Sequence, residues 1–210
     1  MKPLDTRLYV LTDCVPELGR THEQVTAAAI EGGATMIQFR DKKLDDRSFA
    51  NTAAALLSLT RAAGISLIIN DRVAIAIAIG ADGVHVGRHD GDVCKIRESL
   101  PPEMIFGVSA VNFDEAIAMD EIGADYLGVG PVFPTLSKED ATPPIGAKQL
   151  DRICRTVKTP VVAIGGMNME TMPRAIQAGV AGAAVISAVS HAADMAAAAR
   201  NLIDIWEQKD

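Results

Sequence analysis

Four stretches of the chain leave a helix and enter a strand in nearly the same words: EGGATMIQF, AIGADGVHVG, EIGADYLGVG and QAGVAGAAVI. Each has glycine, then a small or apolar residue, then a short β-branched run. Such runs recur eight times, at Leu8–Thr12, Met36–Arg40, Ser66–Asn70, Gly83–Val86, Ile105–Ser109, Tyr126–Val129, Val161–Ile164 and Ala183–Ser187. Between them lie Ala-rich segments of helical period. Thr21–Glu31 opens with Thr21 or one of its neighbours as cap, Asp46–Ala63 is closed by Gly64, Phe113–Glu121 stops at Gly123 and Glu170–Gln177 stops at Gly179. A last helix covers about 191–207. Strand and helix in alternation mean a parallel sheet with helices outside it. Eight such units without a linker favour one closed (β/α)8 barrel over residues 1–210. An open doubly wound sheet is the alternative. It would carry a phosphate-binding turn after its first strand, which LTDCVPELGR does not supply.

Composition narrows the partners. Apolar residues make up 49% of the 210, but aromatics only 4%, so Ala, Ile, Val and Leu must fill the core. The net charge of -7 disfavours non-specific binding to nucleic acid or an acidic membrane. An anionic ligand must then be held by a local cluster of donors. The three cysteines, Cys14, Cys94 and Cys154, are far apart and form no C-x-x-C pair. They speak against a disulfide framework or a zinc site and for a reducing cytoplasm. The first residues lack the apolar core of a signal peptide, and the apolar stretch at 73–79 is too short to span a membrane.

A (β/α)8 barrel works at the C-terminal ends of its strands, so the residues there carry the functional reading. After the second strand comes QFRDK. Alternation turns Ile37 and Phe39 toward the helices, and Gln38 and Arg40 into the barrel mouth with Lys42 following. Arg and Lys are rarely buried without a partner, and this donor triplet suits a phosphate or diphosphate. Asn70 and Asp71 end the third strand, and Asp90 follows the fourth. Either Asp alone could cap a helix. Together, beside Arg40 and Lys42, they form the oxygen ligands of a hard cation. His85 reads as a polar interior residue and His89 as a surface one. His22 and His191 stand at helix starts and point to nothing. Ser109 offers a hydroxyl after the fifth strand but has no evident His–Asp partners for a nucleophilic triad.

The seventh strand ends in Gly165-Gly166 and the eighth in Ile186-Ser187. Backbone amides exposed there make an anion cradle, where this fold often binds phosphate. After the sixth strand runs a long polar loop with Pro131, Pro134, Pro143 and Pro144. The prolines restrict its freedom and so reduce the entropy lost on ordering. It carries Thr135, Ser137 and Lys138, and reads as a substrate-holding flap. Two phosphorylated ligands follow, one of them a metal-bound diphosphate. With no nucleophile or cofactor fingerprint in view, electrostatic help to a departing diphosphate is the natural chemistry.

GGATMIQFRDK, LIINDR, ADGVHVG, ADYLGVGPVFPT with its following Ser-Lys, DATPPIG and AIGGM occur in this order over nearly the whole chain. In these motifs the chain resembles the thiamine phosphate synthase family. The resemblance implies a magnesium-dependent condensation. An aminopyrimidine methyl diphosphate loses diphosphate, and a carboxylated thiazole phosphate attacks the resulting cation to give thiamine phosphate. It further implies that Gln38, Arg40, Lys42, Asn70, Ser109 and Lys138 contact the pyrimidine diphosphate. Of these, Arg40, Lys42, Ser109 and Lys138 would be catalytic. Asp71 and Asp90 would hold Mg2+, and Thr135, Leu136, Ser137, Gly166, Ile186 and Ser187 would contact the thiazole phosphate. Four positions depart from the usual pattern: Ser137 replaces Thr, Arg88 replaces Gln, Ala74 stands where Asp is frequent, and no His follows Ser109. The rivals are a thiazole tautomerase-like isomerase on the same barrel, which relies on a histidine in that last region, and an inactive paralogue that binds thiamine precursors. Neither a membrane nor nucleic acid is implied, and a homo-oligomer is compatible with the sequence.

Overall fold

The computed structural model describes residues 4–87, 90–135 and 142–208. Its strands are β1 Leu8–Thr12, β2 Met36–Phe39, β3 Ser66–Asn70, β4 Gly83–Val86, β5 Ile105–Ala110, β6 Tyr126–Val129, β7 Val161–Ile164 and β8 Gly182–Val185. Each pairs in parallel with the next, and β8 returns to β1 through Leu8 and Ala183, so the sheet closes into a barrel. The helices are α1 His22–Glu31, α2 Asp46–Ala63, α3 Val73–Ile79, α4 Val93–Ser99, α5 Phe113–Asp120, α6 Gly146–Thr156, α7 Met172–Gln177, α8 Ser187–Ser190 and α9 Met195–Glu207. The expected (β/α)8 architecture is present.

Alternation along each strand builds two cores. Leu8, Val10, Ile37, Phe39, Leu67 and Ile69 face outward and pack with helix residues such as Val25, Phe49 and Leu56. Tyr9, Leu11, Met36, Ile68, Tyr126, Val162 and Ala184 fill the barrel itself. The interior is narrow: a Cβ on Gly107 would stand 2.1 Å from Cζ of Tyr126. Only glycine there leaves room for the phenol ring, so a large interior residue on β6 is matched to an absent one on β5.

The repeated phrase has a physical cause. Its glycines, Gly33, Gly80, Gly123 and Gly179, all have positive φ and turn the chain from helix to strand. Two residues later a side chain accepts a backbone hydrogen bond from the preceding strand. Leu8 N donates to Thr35 Oγ1 at 3.1 Å, Leu67 N to Asp82 Oδ2 at 2.8 Å and Phe106 N to Asp125 Oδ2 at 2.8 Å. The fourth phrase has Ala181 at that place, and its carbonyl instead accepts from Thr6 Oγ1. These contacts occupy strand amides at the bottom of the barrel, away from the strands' C-terminal ends.

Differences from the sequence reading lie at element ends. Strand β8 stops at Val185 because Ile186 leaves extended geometry (φ -121, ψ -88) and Ser187 opens α8. The expected helix from about 191 starts later, as α9 at Met195, capped by Asp194 through Ala197 N, and the short α8 precedes it. Thr21 caps α1 in a reciprocal pair with Gln24, as the sequence signals.

The bottom contacts are testable. Asp125→Ala strands the Phe106 amide and should cost about 1–3 kcal/mol. Asp125→Asn keeps an acceptor and should lose less. Urea denaturation midpoints of both variants, with Glu121→Ala as an exposed control, measure the difference.

Candidate active site

A cavity of about 290 Å3 opens at the C-terminal ends of the strands, lined by residues from every strand end. Gln38, Arg40, Lys42, Asn70, Asp71, Asp90, Ser109, Thr135, Gly166, Ile186 and Ser187 all line it, so these expected site residues are brought together. Leu136, Ser137 and Lys138 lie outside the described residues, as do Arg88 and His89.

The β2 side follows from alternation. Ile37 and Phe39 are fully buried against the helices, while Gln38 points inward, only 2% exposed, and its Nε2 donates to Tyr9 Oη at 2.6 Å. Arg40 and Lys42 come after the strand end and put their cationic groups at the mouth.

Asp71 and Asp90 are not helix caps. The N-cap of α3 is Arg72, whose side chain makes no capping bond, and that of α4 is Asp92, which accepts from Cys94 and Lys95 amides. Asp71 instead sits in a tight turn with φ of 61, held by its amide on His85 O at 3.0 Å and by Val73 N on its own carbonyl at 2.9 Å. A non-glycine residue in the left-handed region costs about 1–3 kcal/mol, and such strain clusters at functional sites. Asp90 accepts from Gly87 N at 2.6 Å through Oδ2. The two carboxyl groups face one another. Burial first, and then the hydrogen bond and charge of Asp90, push the Asp71 carboxyl up to about 6, with Lys42 and Arg40 pulling it down. Two oxygen ligands that repel each other at neutral pH form a set short of positive charge. That donor set fits a hard divalent cation.

Opposite stand the ends of β7 and β8. Gly165 and Gly166 both have positive φ (91 and 66). A Cβ on Gly166 would meet Pro134 O at 2.5 Å. The start of the β6 loop therefore runs against these glycines, and Val132 N donates to Ile164 O and Phe133 N to Gly165 O. Its base is tied on the other side too, by Ile145 N on Pro131 O and Gly146 N on Val132 O. Thr135 and Thr142 face the cavity from the two ends of this anchored segment, and Thr142 Oγ1 is buried with no hydrogen-bond partner among the described residues.

The sequence reading did not single out Tyr9, Tyr126, Thr142 or Glu115, all of which line the cavity. The signal for the tyrosines was present: period-two alternation puts Tyr9 on the face of Leu11 and Tyr126 on that of Gly128. His85 is the interior polar residue expected, 9% exposed and bonded to Tyr126 and Ser109. His22 has a clearer place than the sequence implied. It is buried between Thr12 Oγ1 and Asp41 Oδ2 and packs edge-on against Phe39. With Cys14 and Asp41 it forms a group of ligand atoms within 4.8 Å of one another. Both ring nitrogens already have protein partners there.

The barrel and its mouth, with cations, paired carboxylates and a glycine cradle around one cavity, have the chemistry of an enzyme site and are consistent with phosphorylated ligands. The thiamine monophosphate synthase family model matches residues 8–189. The thiamine-phosphate synthase of Chloroflexus aurantiacus is 48% identical over 199 residues, 95% of this chain and 92% of that protein. That of Archaeoglobus fulgidus is 46% identical over 198 residues, 94% and 92% of the two chains. Among solved structures, the thiamine phosphate pyrophosphorylase of Pyrococcus furiosus superposes with a TM-score of 0.89 at 40% identity, covering 97% of this chain and 96% of that one. The chain belongs to the thiamine monophosphate synthase family, a family of transferases in thiamine biosynthesis.

The Asp71 carboxyl gives a prediction for the metal-free protein. Its folded-state value lies above that of the unfolded chain, so protonation favours the fold. The contribution is complete below about pH 4, the value of a free carboxyl, and is lost as pH rises through the folded-state value of about 6. In chelating buffer the melting temperature of Asp71→Asn should therefore gain on that of the native chain between pH 4.5 and 7. A constant difference across this range would contradict the raised value.

Proposed function

We propose that the barrel condenses an aminopyrimidine methyl diphosphate with a carboxylated thiazole phosphate, releasing diphosphate and carbon dioxide and forming thiamine phosphate. The observation that carries this reading is the meeting of the Asp71 and Asp90 carboxylates with Arg40 and Lys42 at one side of a cavity whose other side is the Gly165–Gly166 turn and Ser187. Family membership supports the same chemistry.

In this reading Arg40 and Lys42 bind the diphosphate, Gln38 and Asn70 orient the pyrimidine, and Ser109 donates to the leaving group. Asp71 and Asp90 would hold Mg2+, which when bound neutralises charge on the diphosphate oxygens. Thr135, Leu136, Ser137, Gly166, Ile186 and Ser187 hold the thiazole phosphate. Its position across the cavity aligns the thiazole nitrogen with the pyrimidine methylene as diphosphate departs. In this reading the β6 loop acts as a flap that keeps water from the cation. Lys138 tightens on the diphosphate as its charge grows, which lowers the barrier rather than only aiding binding. A tautomerase reading lacks its histidine, because Ala110 and Val111 follow Ser109. No helix among the described residues is long and apolar enough to cross a membrane.

Incubating the protein with both substrates and Mg2+ should give thiamine phosphate and diphosphate, and excess chelator should stop turnover. Binding of both substrates without product would favour the inactive-paralogue reading. In single-turnover kinetics at saturating substrates, Lys138→Ala should slow chemistry about 100- to 1000-fold. Lys138→Arg should recover only part of that loss. An unchanged rate would make the loop a cover only.

A further inference from the structure

Five inward-facing side chains form one continuous line of hydrogen bonds through the barrel. Gln38 Nε2 donates to Tyr9 Oη at 2.6 Å, and Tyr9 Oη lies 2.9 Å from Tyr126 Oη. Tyr126 Oη lies 3.0 Å from His85 Nδ1, and His85 Nε2 lies 2.8 Å from Ser109 Oγ. The residues come from β2, β1, β6, β4 and β5, so the line joins side chains that are remote in sequence. Both of its ends, Gln38 and Ser109, line the cavity.

The line has a direction. Burial holds both phenols above their ordinary range, so each keeps one hydrogen to give. Tyr9 receives from Gln38, so its own buried hydrogen is satisfied when it goes to Tyr126. The hydrogen of Tyr126 then goes to His85 Nδ1. A neutral imidazole that accepts at Nδ1 carries its hydrogen on Nε2. That hydrogen is given to Ser109 Oγ, and the hydroxyl hydrogen of Ser109 is left for the cavity. In the opposite tautomer Ser109 would donate to His85 and turn only lone pairs toward an anion.

We infer that His85, Tyr126 and Tyr9 are positioning residues that set the polarity of Ser109, holding its hydroxyl as a donor to the phosphate-bearing ligand of the cavity. The role of the donor rests on the proposed synthase reading; the direction of the line does not. A donor fixed before the reaction needs no reorientation as charge grows on the leaving group. The line also makes the Gln38 amide, at its far end, part of the same setting. Tyr126 carries the central link. Its ring is needed for packing against Gly107, but its hydroxyl alone is what meets His85 Nδ1.

Two measurements test this. In the ligand-free full chain, 15N NMR of the imidazole should show His85 as the neutral Nε2–H tautomer at pH 7. Tyr126→Phe should convert it to a mixture. A dominant Nδ1–H tautomer in the native chain overturns the inference whether or not the protein is a synthase. In single turnover, Tyr126→Phe should slow the reaction on the order of ten-fold, the worth of one hydrogen bond in the transition state. KM for the thiazole phosphate should not move. The same substitution in a Ser109→Ala background should cost nothing further, because the group it positions is gone. Equal losses in the two backgrounds would make Tyr126 a packing residue only. Absence of synthase turnover in the native chain would count against the proposed function and leave the NMR result to decide the line.

Discussion

Closure of the parallel sheet, where β8 pairs with β1, governs the rest of the structure. A closed sheet has no edge, so each strand has one face to the helices and one to the barrel axis. The outer face is supplied mostly by Val, Ile and Leu, with Phe39 and Phe106 among them. The inner face is more demanding, because eight strands leave room for only a few side chains. Here Tyr9 and Tyr126 occupy that space and Gly107 yields to them. Their hydroxyls cannot reach water, so they bond to each other, to Gln38 and to His85. The need to satisfy buried phenols thus runs a polar line from the packed interior to the floor of the cavity.

The upper rim follows a different logic. The bottom of the barrel spends side chains on strand amides, as Asp82 and Asp125 do. At the top, Asp71 and Asp90 face each other, and the Asp71 carboxyl is raised to about 6. Asp71 also holds a left-handed backbone. Burial, like charge and strain at one residue oppose stability and serve no packing purpose. They are reasonable only where a ligand completes the site.

Much of this could be read from the residues. Strand–helix alternation and the glycine phrases lead to the barrel, and period two along QFRDK separates Gln38 and Arg40 from Ile37 and Phe39. Of the residues the family motifs named, those that are described lie round one cavity, and Leu136, Ser137 and Lys138 lie outside the described residues. Less legible were features set by tertiary contact. Ile186 looks like strand because it is β-branched, but its backbone turns there to start α8. The partners of His22, namely Thr12 and Asp41, come from the ends of β1 and β2, which only the pairing of those two strands brings together. Thr142 lies seven positions beyond Thr135 in sequence, and its place at the cavity depends on how the loop's base is tied to β7 and α6.

The central claim is that the Asp71–Asp90 pair is completed by a divalent cation together with a diphosphate. Calorimetric titration of inorganic diphosphate into the protein at pH 7, with and without Mg2+, measures this directly. The account predicts that Mg2+ tightens diphosphate binding at least about ten-fold, the effect of one charge-assisted contact. The gain should vanish in Asp71→Asn. Diphosphate affinity that is indifferent to Mg2+, or a gain that survives Asp71→Asn undiminished, would contradict it.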